Sequence, residues 1–335
     1  MPVPVPGLTP PDGFTARALG PDDVDDVEAL LAAAEEVDDT GEHFDADDLT
    51  EWWVNDLVDL GRDGVALHDG DGALAGWATV IAPPTFRDAF GVHLEGRVHP
   101  QWRGRGLGRA LLAWQLGRGA AVHEERHPEV PARLTVVVPE AMPALESLAR
   151  RAGMSAVRWY RLMERPLREV PGERAVPGVE LVPFTWDRDD EARRAHNAAF
   201  TQHHGSSERD QASWEVMFTG QRSFRPDLSV LALVDGAVAA YALVYVYESD
   251  TRATGVRTAH FGQIGTLPEF RGRGLARAAI AGSLRAAASA GCDAAALQVD
   301  AGNVTGALRV YEGLGFTTRR TQVSWARELP PRSPN

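Results

Sequence analysis

The pentapeptide Arg-Gly-Arg-Gly-Leu occurs twice in the chain, at 103–107 and again at 271–275. Each copy follows a strand-like apolar run and leads directly into a segment rich in Ala, Leu and Arg, which is typical of a helix. Such a turn exposes backbone N–H groups at a helix N-terminus, where glycines allow close approach and the helix dipole favours an anion. The arginines add positive charge suited to a diphosphate. The pattern predicts two sites for a phosphorylated cofactor.

Other interpretations of the Gly-rich turn fit the sequence less well. A dinucleotide-binding fingerprint needs Gly-x-Gly-x-x-Gly, but Arg109 stands where the third glycine would be. A nucleic-acid-binding RGG tract would be longer and set in a basic chain, whereas this chain has a net charge of −13. A plain strand–helix turn with surface arginines is the remaining alternative, and the duplicated context favours the cofactor site.

The spacing of the two turns predicts the domain organisation. The interval between them is half of the 335-residue chain, which indicates duplication of a whole domain rather than a short solenoid repeat. Each half shows the pattern of a strand, two helices, a β-hairpin, a strand leading into the turn, a helix, a strand and a final helix. We therefore expect an α/β (α+β) protein with a first domain at 1–165, a linker at 166–178 and a second domain at 179–328.

Composition excludes several classes of chemistry and location. All 34 basic residues are arginine, which excludes a Schiff-base lysine and a P-loop lysine. The single cysteine, Cys292, excludes an internal disulfide and suits a reducing compartment. No apolar run approaches the length of a membrane span, and the N-terminus has no signal-peptide pattern. We expect a cytoplasmic protein with no membrane partner.

The acidic excess is concentrated near the N-terminus. Between Asp22 and Asp63, 17 acidic residues accompany one arginine, Arg62. This surface would repel nucleic acid and anionic membranes, and it could attract a cationic acceptor. A solvated acidic helix face is the alternative. We therefore expect no nucleic-acid partner.

Two motifs resemble those of a known family. Gln101-Trp-Arg-Gly-Arg-Gly106 and Glu269-Phe-Arg-Gly-Arg-Gly274 are similar to the Q/R-x-x-G-x-G/A acetyl-CoA signature of GNAT (GCN5-related) N-acetyltransferases. In the second half, Asn303, Ala307, Tyr311 and the segment 314–316 (Leu-Gly-Phe) resemble the family's downstream Asn…Ala…Tyr…Leu-Gly-Phe pattern. The resemblance covers both halves, as in the tandem GNAT proteins of the mycothiol synthase-like group.

The resemblance implies a fold and a reaction. Each domain should contain a mixed, mostly antiparallel sheet that is splayed between its fourth and fifth strands and flanked by helices, with the pantetheine arm in the gap. The reaction implied is direct transfer of acetyl from acetyl-CoA to a primary amine of a small molecule or peptide, without a metal. The residues implied to bind the cofactor are Ile264, Gly265, Thr266, Arg271, Gly272, Arg273, Gly274, Leu275, Ala276 and Asn303, and in the first half Val98, Arg103, Gly104, Arg105, Gly106, Leu107 and Gly108.

The resemblance also implies catalytic groups in the second half. Tyr311 matches the acid that protonates the departing thiolate, and a main-chain N–H within 264–266 would stabilise the oxyanion. His260 could accept the amine proton, directly or through water. Strand alternation places His260 on the face of Ile264 if no bulge intervenes. Glu248 is the competing candidate for the base.

The two halves differ in their catalytic tail. Aligning the glycines at 153 and 315 places Ala149 opposite Tyr311 and Ala141 opposite Asn303. The first half therefore retains the phosphate turn without the acid. We expect it to be a degenerate copy that binds CoA at most, and we expect catalysis in the second half.

The sequence leaves the acceptor open. Mycothiol synthase-like sequences carry an acidic residue in the loop that here contains His203 and His204, and a tyrosine where Gln298 stands. A small amine, an aminoglycoside-like compound, a peptide N-terminus and a mycothiol-precursor-like aminosugar all remain candidates, and a non-catalytic acetyl-CoA sensor is the alternative function. Monomer and homodimer are both compatible with the sequence. The candidate acceptor residues are His203, His204, Trp214, Tyr245, Glu248 and Gln298.

Overall fold

The computed structural model describes residues 5–53, 59–172, 175–201, 208–302 and 306–332. The chain divides into two compact units. The first unit combines residues 1–158 with residues 322–335, and the second comprises residues 159–321.

The first unit contains a six-stranded sheet in the order β1-β2-β3-β4-β5-β12. Its last strand, β12 (Thr317–Leu329), enters this sheet through residues 322–329, which pair antiparallel with β5. The remaining elements are β1 (Thr15–Ala18), α1 (Val24–Asp38), α2 (Ala46–Trp53), α3 (Leu60–Asp63), β2 (Gly64–His68), β3 (Leu74–Ile81), β4 (Phe90–Val98), α4 (Leu107–Arg126), β5 (Ala132–Pro139) and α5 (Pro143–Arg151).

The second unit repeats this architecture with the strand order β6-β11-β10-β9-β8-β7. It adds a short helix after β9, α8, that the sequence pattern did not predict. The elements are β6 (Ser155–Pro166), β7 (Glu180–Pro183), α6 (Asp189–Ala199), α7 (Gln211–Trp214), β8 (Val230–Val234), β9 (Ala237–Tyr245), α8 (Glu248–Thr254), β10 (Thr258–Thr266), α9 (Leu275–Ser289), β11 (Ala294–Asp300) and α10 (Ala307–Glu312).

The last strand encoded by each half completes the sheet of the other half's unit. Residues 160–166 of β6 pair antiparallel with β11 in the second unit, and residues 322–329 of β12 pair with β5 in the first. The observed division therefore falls after Arg158 and after Thr321, not at the predicted boundaries near 165 and 179. Sequence periodicity identifies a strand but not its partner, which explains the difference.

Each unit opens a gap between its fourth and fifth strands, as predicted. The parallel ladder between β4 and β5 covers only Phe90–His93 with Ala132–Thr135. The ladder between β10 and β11 covers only Thr258–Phe261 with Ala294–Leu297. Beyond these residues the strands diverge towards their carboxyl ends, where the Gly-rich turns follow.

Helices cover both faces of each sheet, so the central strands are almost wholly buried. All of β3 and nearly all of β9 are inaccessible to solvent. In the second unit, α9 packs Leu275, Ala279 and Leu284 on one face, while α6 and α7 pack against the other. Burying a Leu side chain contributes about 1.5–3 kcal/mol, so these cores hold the gap edges rigidly.

Candidate active site

The two Gly-rich turns share one backbone conformation. Gly104 and Gly272 have φ of +79° and +75°, and Gly106 and Gly274 have φ of +91° and +87°. These values lie in the left-handed region that favours glycine. Neither α4 nor α9 has a side-chain N-cap, so their first N–H groups remain available to an anion. Both units therefore have the left-handed glycines and the uncapped helix N-terminus that a phosphate-binding turn requires.

The first arginine of each turn donates hydrogen bonds to the last residue of an earlier helix in the same unit. Arg103 donates two hydrogen bonds to the Asp38 carboxylate at the end of α1, at 2.6 and 2.7 Å. Arg271 donates to the Ala199 carbonyl at the end of α6, at 2.7 Å. These side chains tie the turn to its unit, which leaves the second arginine and the backbone to meet a ligand.

The second arginine of each turn stacks on the aromatic residue before it. Arg105 lies 4.7 Å from the centre of the Trp102 ring, and Arg273 lies 5.2 Å from that of Phe270. A guanidinium stacked in this way keeps its N–H donors at the rim of the ring, where they can reach a phosphate.

A β-bulge at the gap changes the faces of β10. His260 pairs with Tyr245 and Phe261 with Val244, but Gln263 then pairs with Leu243, so Gly262 is the extra residue. Cross-strand partners share a face. His260 therefore lies on the face of Gly265, covered by α6 and α7, and Ile264 lies on the opposite face. The expectation that His260 and Ile264 share a face is wrong, because the bulge reverses the alternation.

His260 is oriented by a carboxylate that sequence analysis did not single out. Its Nε2 atom lies 3.1 Å from Oδ2 of Asp250, on α8. The imidazole also meets the Tyr247 ring edge to face, with centres 5.1 Å apart. The side chain of His260 retains 30% exposure. The contact is electrostatic, because within the described residues Nε2 makes no hydrogen bond of normal geometry, and a carboxylate at this distance restrains the orientation of the ring.

Tyr311 lies on the other face of the sheet. It belongs to the core between β10, β11 and α9, where Ile264 also packs, and its ring meets Phe316 at 6.3 Å. Burial raises the pKa of the Tyr311 hydroxyl to about 12. Within the described residues, that hydroxyl makes no hydrogen bond. It is a protonated donor on the α9 side of the gap, whereas His260 lies on the α6 side.

Two tyrosines of β9 press against the glycines of β10. A Cβ atom built on Gly265 would lie 2.5 Å from the Tyr241 hydroxyl, and one built on Gly262 would lie 2.5 Å from the Tyr245 ring. The Tyr241 hydroxyl and His196 Nδ1 are hydrogen-bonded at 2.8 Å. Burial lowers the pKa of His196 to about 4 and raises that of Tyr241 well above its usual value. This buried pair, in which both side chains are neutral, packs against the bulged strand β10 through Tyr241.

The predicted acceptor residues occupy different environments. Trp214 is fully buried and donates from Nε1 to Asp189 at 2.7 Å, and Tyr245 is almost fully buried. Glu248 is exposed and pairs with Arg257 at 3.0 Å. Gln298 is exposed on β11, two residues beyond the partner of His260, and so shares its face. His203, His204 and Asn303 lie outside the described residues.

In the described part of the first unit, an alanine occupies the position that aligns with Tyr311. Ala149 is fully buried in place of a tyrosine, and the neighbouring Leu148 approaches the turn, 3.4 Å from a Cβ built on Gly108. Asp250, in the second unit, was not predicted from the sequence, because its signal there is a single acidic residue in a short polar segment.

Two negative findings concern the described part of the chain. No helix within it is long and apolar enough to cross a membrane. Among the same residues, no group of three or more His, Cys, Asp or Glu side chains is placed to hold a metal ion.

Comparisons with known proteins agree with this geometry. A profile of the acetyltransferase (GNAT) family matches residues 190–316. A mycothiol acetyltransferase from Frankia casuarinae is 32% identical over 94% of this chain and 97% of its own. A GCN5-related N-acetyltransferase from Sphaerobacter thermophilus superposes with a TM-score of 0.78 at 25% identity, covering 96% of this chain and 98% of that one. A tandem GNAT protein from the clavulanic acid biosynthesis pathway has a TM-score of 0.69 at 20% identity, covering 96% and 100%. The chain therefore belongs to the GNAT acetyltransferase family, whose members use acetyl-CoA, and is an N-acetyltransferase.

Proposed function

We propose that the second unit carries out the reaction and transfers acetyl from acetyl-CoA to a primary amine through the gap between β10 and β11. The observation that carries the proposal is the placement of Tyr311 and the His260–Asp250 pair on opposite faces of that gap. An acid on one face and a base on the other suit a thioester that enters from the α9 side and an amine that enters from the α6 side.

Each of these groups of the chain has one role in the proposed reaction. The turn at 271–275 would hold the diphosphate of the cofactor, and bound acetyl-CoA supplies the thioester. The backbone of Ile264–Thr266, which runs beyond the β10–β11 ladder, would donate an N–H to the oxyanion. His260 takes the proton of the attacking amine as the C–N bond forms. Tyr311 gives its proton to the sulfur as the C–S bond breaks.

The proposed acceptor is a small-molecule or peptide amine. Relatives that match nearly the whole chain are named mycothiol acetyltransferases, which supports including a mycothiol-precursor-like aminosugar among the candidates. Exposed Gln298, on the face of His260, is placed to contact the acceptor. The net charge of −13 argues against a nucleic-acid partner, and a cytoplasmic location remains our proposal.

The test is thiol release from acetyl-CoA over a panel of amines, with the wild type beside Tyr311→Phe, His260→Gln and Asp250→Asn. We expect kcat to fall about 100-fold or more for the first two, since positioned acid–base groups contribute about 10²–10⁴-fold. Asp250→Asn should lower kcat with little change in KM for acetyl-CoA, because it acts through His260.

Tyr160→Phe, on β6, is the matched control and should retain full activity. If Tyr311→Phe kept full activity on a genuine acceptor, the acid assignment would be wrong. Tight binding of acetyl-CoA without turnover on any amine would favour the sensor function instead.

A further inference from the structure

One cavity among the described residues lies in the first unit, away from the proposed active site. It has a volume of about 660 Å³ and lies between α4, α5 and the end of β12. None of the turn residues 103–108 lines it; its α4 wall begins at Arg109 and continues to Ala120. At 1.5 Å per residue this wall is about 16 Å long. We call this cavity the α4–α5 groove.

The charged residues that line the groove all have the same sign. They are Arg109 of α4, Arg151 at the end of α5 and Arg327 of β12. All three are exposed, and within the described residues none of them pairs with a carboxylate. Arg151 donates one hydrogen bond to the Ser147 hydroxyl, at 2.6 Å. The rest of the lining is mostly aliphatic, including Leu112, Leu116 and Leu148.

The position of Arg109 is unfavourable for the helix that carries it. It lies in the first turn of α4, where the helix dipole disfavours a cation. The arginine that aligns with it in the second half, Arg277, donates to the Gly313 carbonyl at 2.9 Å. In the first half the residue that aligns with Gly313 is Arg151, so this position carries a second cation.

Three arginines without a carboxylate partner, set around an aliphatic trough, present N–H donors to an anion that lies between them. For Arg109 and Arg151 the lack of a carboxylate partner is unusual, because residues 1–165 contain 28 acidic residues and 15 arginines. We propose that the α4–α5 groove binds an anionic amphiphile, whose carboxylate or phosphate head lies among Arg109, Arg151 and Arg327 and whose alkyl chain lies along α4. Arginine binds both heads with paired N–H donors.

Calorimetric titration of the full chain with octanoate, octyl phosphate and octyl glucoside tests the proposal. We expect the two anions to bind and the neutral glucoside to bind at least about tenfold more weakly. The preferred anion identifies the source, either a free fatty acid or a phosphorylated lipid-like compound. The double variant Arg109→Gln/Arg151→Gln should weaken anion binding about tenfold or more, and Ala113→Trp, which fills the groove, should abolish it.

Arg87→Gln provides the matched control, because Arg87 is exposed in the same unit but outside the groove. It should bind as the wild type does. Equal binding of all three ligands, no anion binding below about 1 mM, or anion binding unaffected by Ala113→Trp would each overturn the proposal. Displacement of octanoate by acetyl-CoA would overturn it as well, since the groove would then be part of the cofactor site.

Discussion

Gly265→Ala should both destabilise the second unit and impair transfer. The added methyl group would lie 2.5 Å from the Tyr241 hydroxyl and from a ring carbon of the same side chain. Tyr241 is fully buried and hydrogen-bonded to His196, so it cannot swing aside. Overpacking of this kind costs about 1–3 kcal/mol. For a unit of this size the melting temperature should fall by about 2–4 °C for each kcal/mol.

The Gly265→Ala substitution should also lower the rate of transfer. Relief of the clash must move β10 at the residues proposed to donate to the oxyanion, and a displacement of about 1 Å can cost about 100-fold in rate. We therefore expect kcat to fall about 10–100-fold in the thiol-release assay, with a smaller change in KM.

Gly282→Ala is a control that should raise the melting temperature instead of lowering it. Gly282 lies inside α9, and a Cβ there would make only ordinary contacts with Val230 at 3.4 Å. Alanine in a helix interior gains about 1 kcal/mol over glycine, so this variant should melt at a higher temperature and remain active. Tyr241→Leu removes the atoms that clash, and in that background Gly265→Ala should cost at least about 1 kcal/mol less. If Gly265→Ala matched the wild type in melting temperature and kcat, the packing argument would be refuted.

Two further predictions concern a buried histidine and the cofactor turns. The pKa of His196 is about 4 in the folded protein, against the usual 6.5. Between these pH values the unfolded chain binds a proton that the folded protein does not. The contribution of neutral His196 to the free energy of unfolding is therefore fully present above pH 6.5 and is lost as the pH falls towards 4. His196→Gln should flatten the melting-temperature profile across that window, and an unchanged slope would assign the acid sensitivity to other groups. Native mass spectrometry with acetyl-CoA should count two ligands on the wild type and one on either Gly106→Val or Gly274→Val, because valine cannot adopt the left-handed turn without strain. Two ligands retained on both variants would refute the assignment of the turns.

Much of the fold could be predicted from local patterns. The Gly-rich turns are local in sequence, and their glycines adopt the left-handed conformation that the motif requires at both copies. The strand–helix succession within each half follows from periodicity, with boundaries shifted by a few residues. The α8 helix was missed because its sequence, Glu248–Thr254, is polar and short and carries no apolar repeat.

The candidate site could be predicted only in part. Tyr311 and the segment 264–266 were proposed from the resemblance to the GNAT family. The partner of His260 was not, since Asp250 reaches it only through the packing of α8 beside β10. The face of His260 depended on the bulge at Gly262, a glycine that lies against the Tyr245 ring.

The sequence by itself determined that the Gly-rich turn occurs twice and that the family's downstream tyrosine pattern occurs once, because both features lie in short stretches of residues whose types set their backbone and chemistry. The tertiary structure decided which strand completes each sheet, which face His260 occupies and which arginines remain unpaired. Those properties depend on contacts between residues far apart in the chain, such as Tyr241 with His196, and on the burial that alters their charge. The repeated turn predicts where a cofactor binds, and the packing around each copy determines which side chains surround that position.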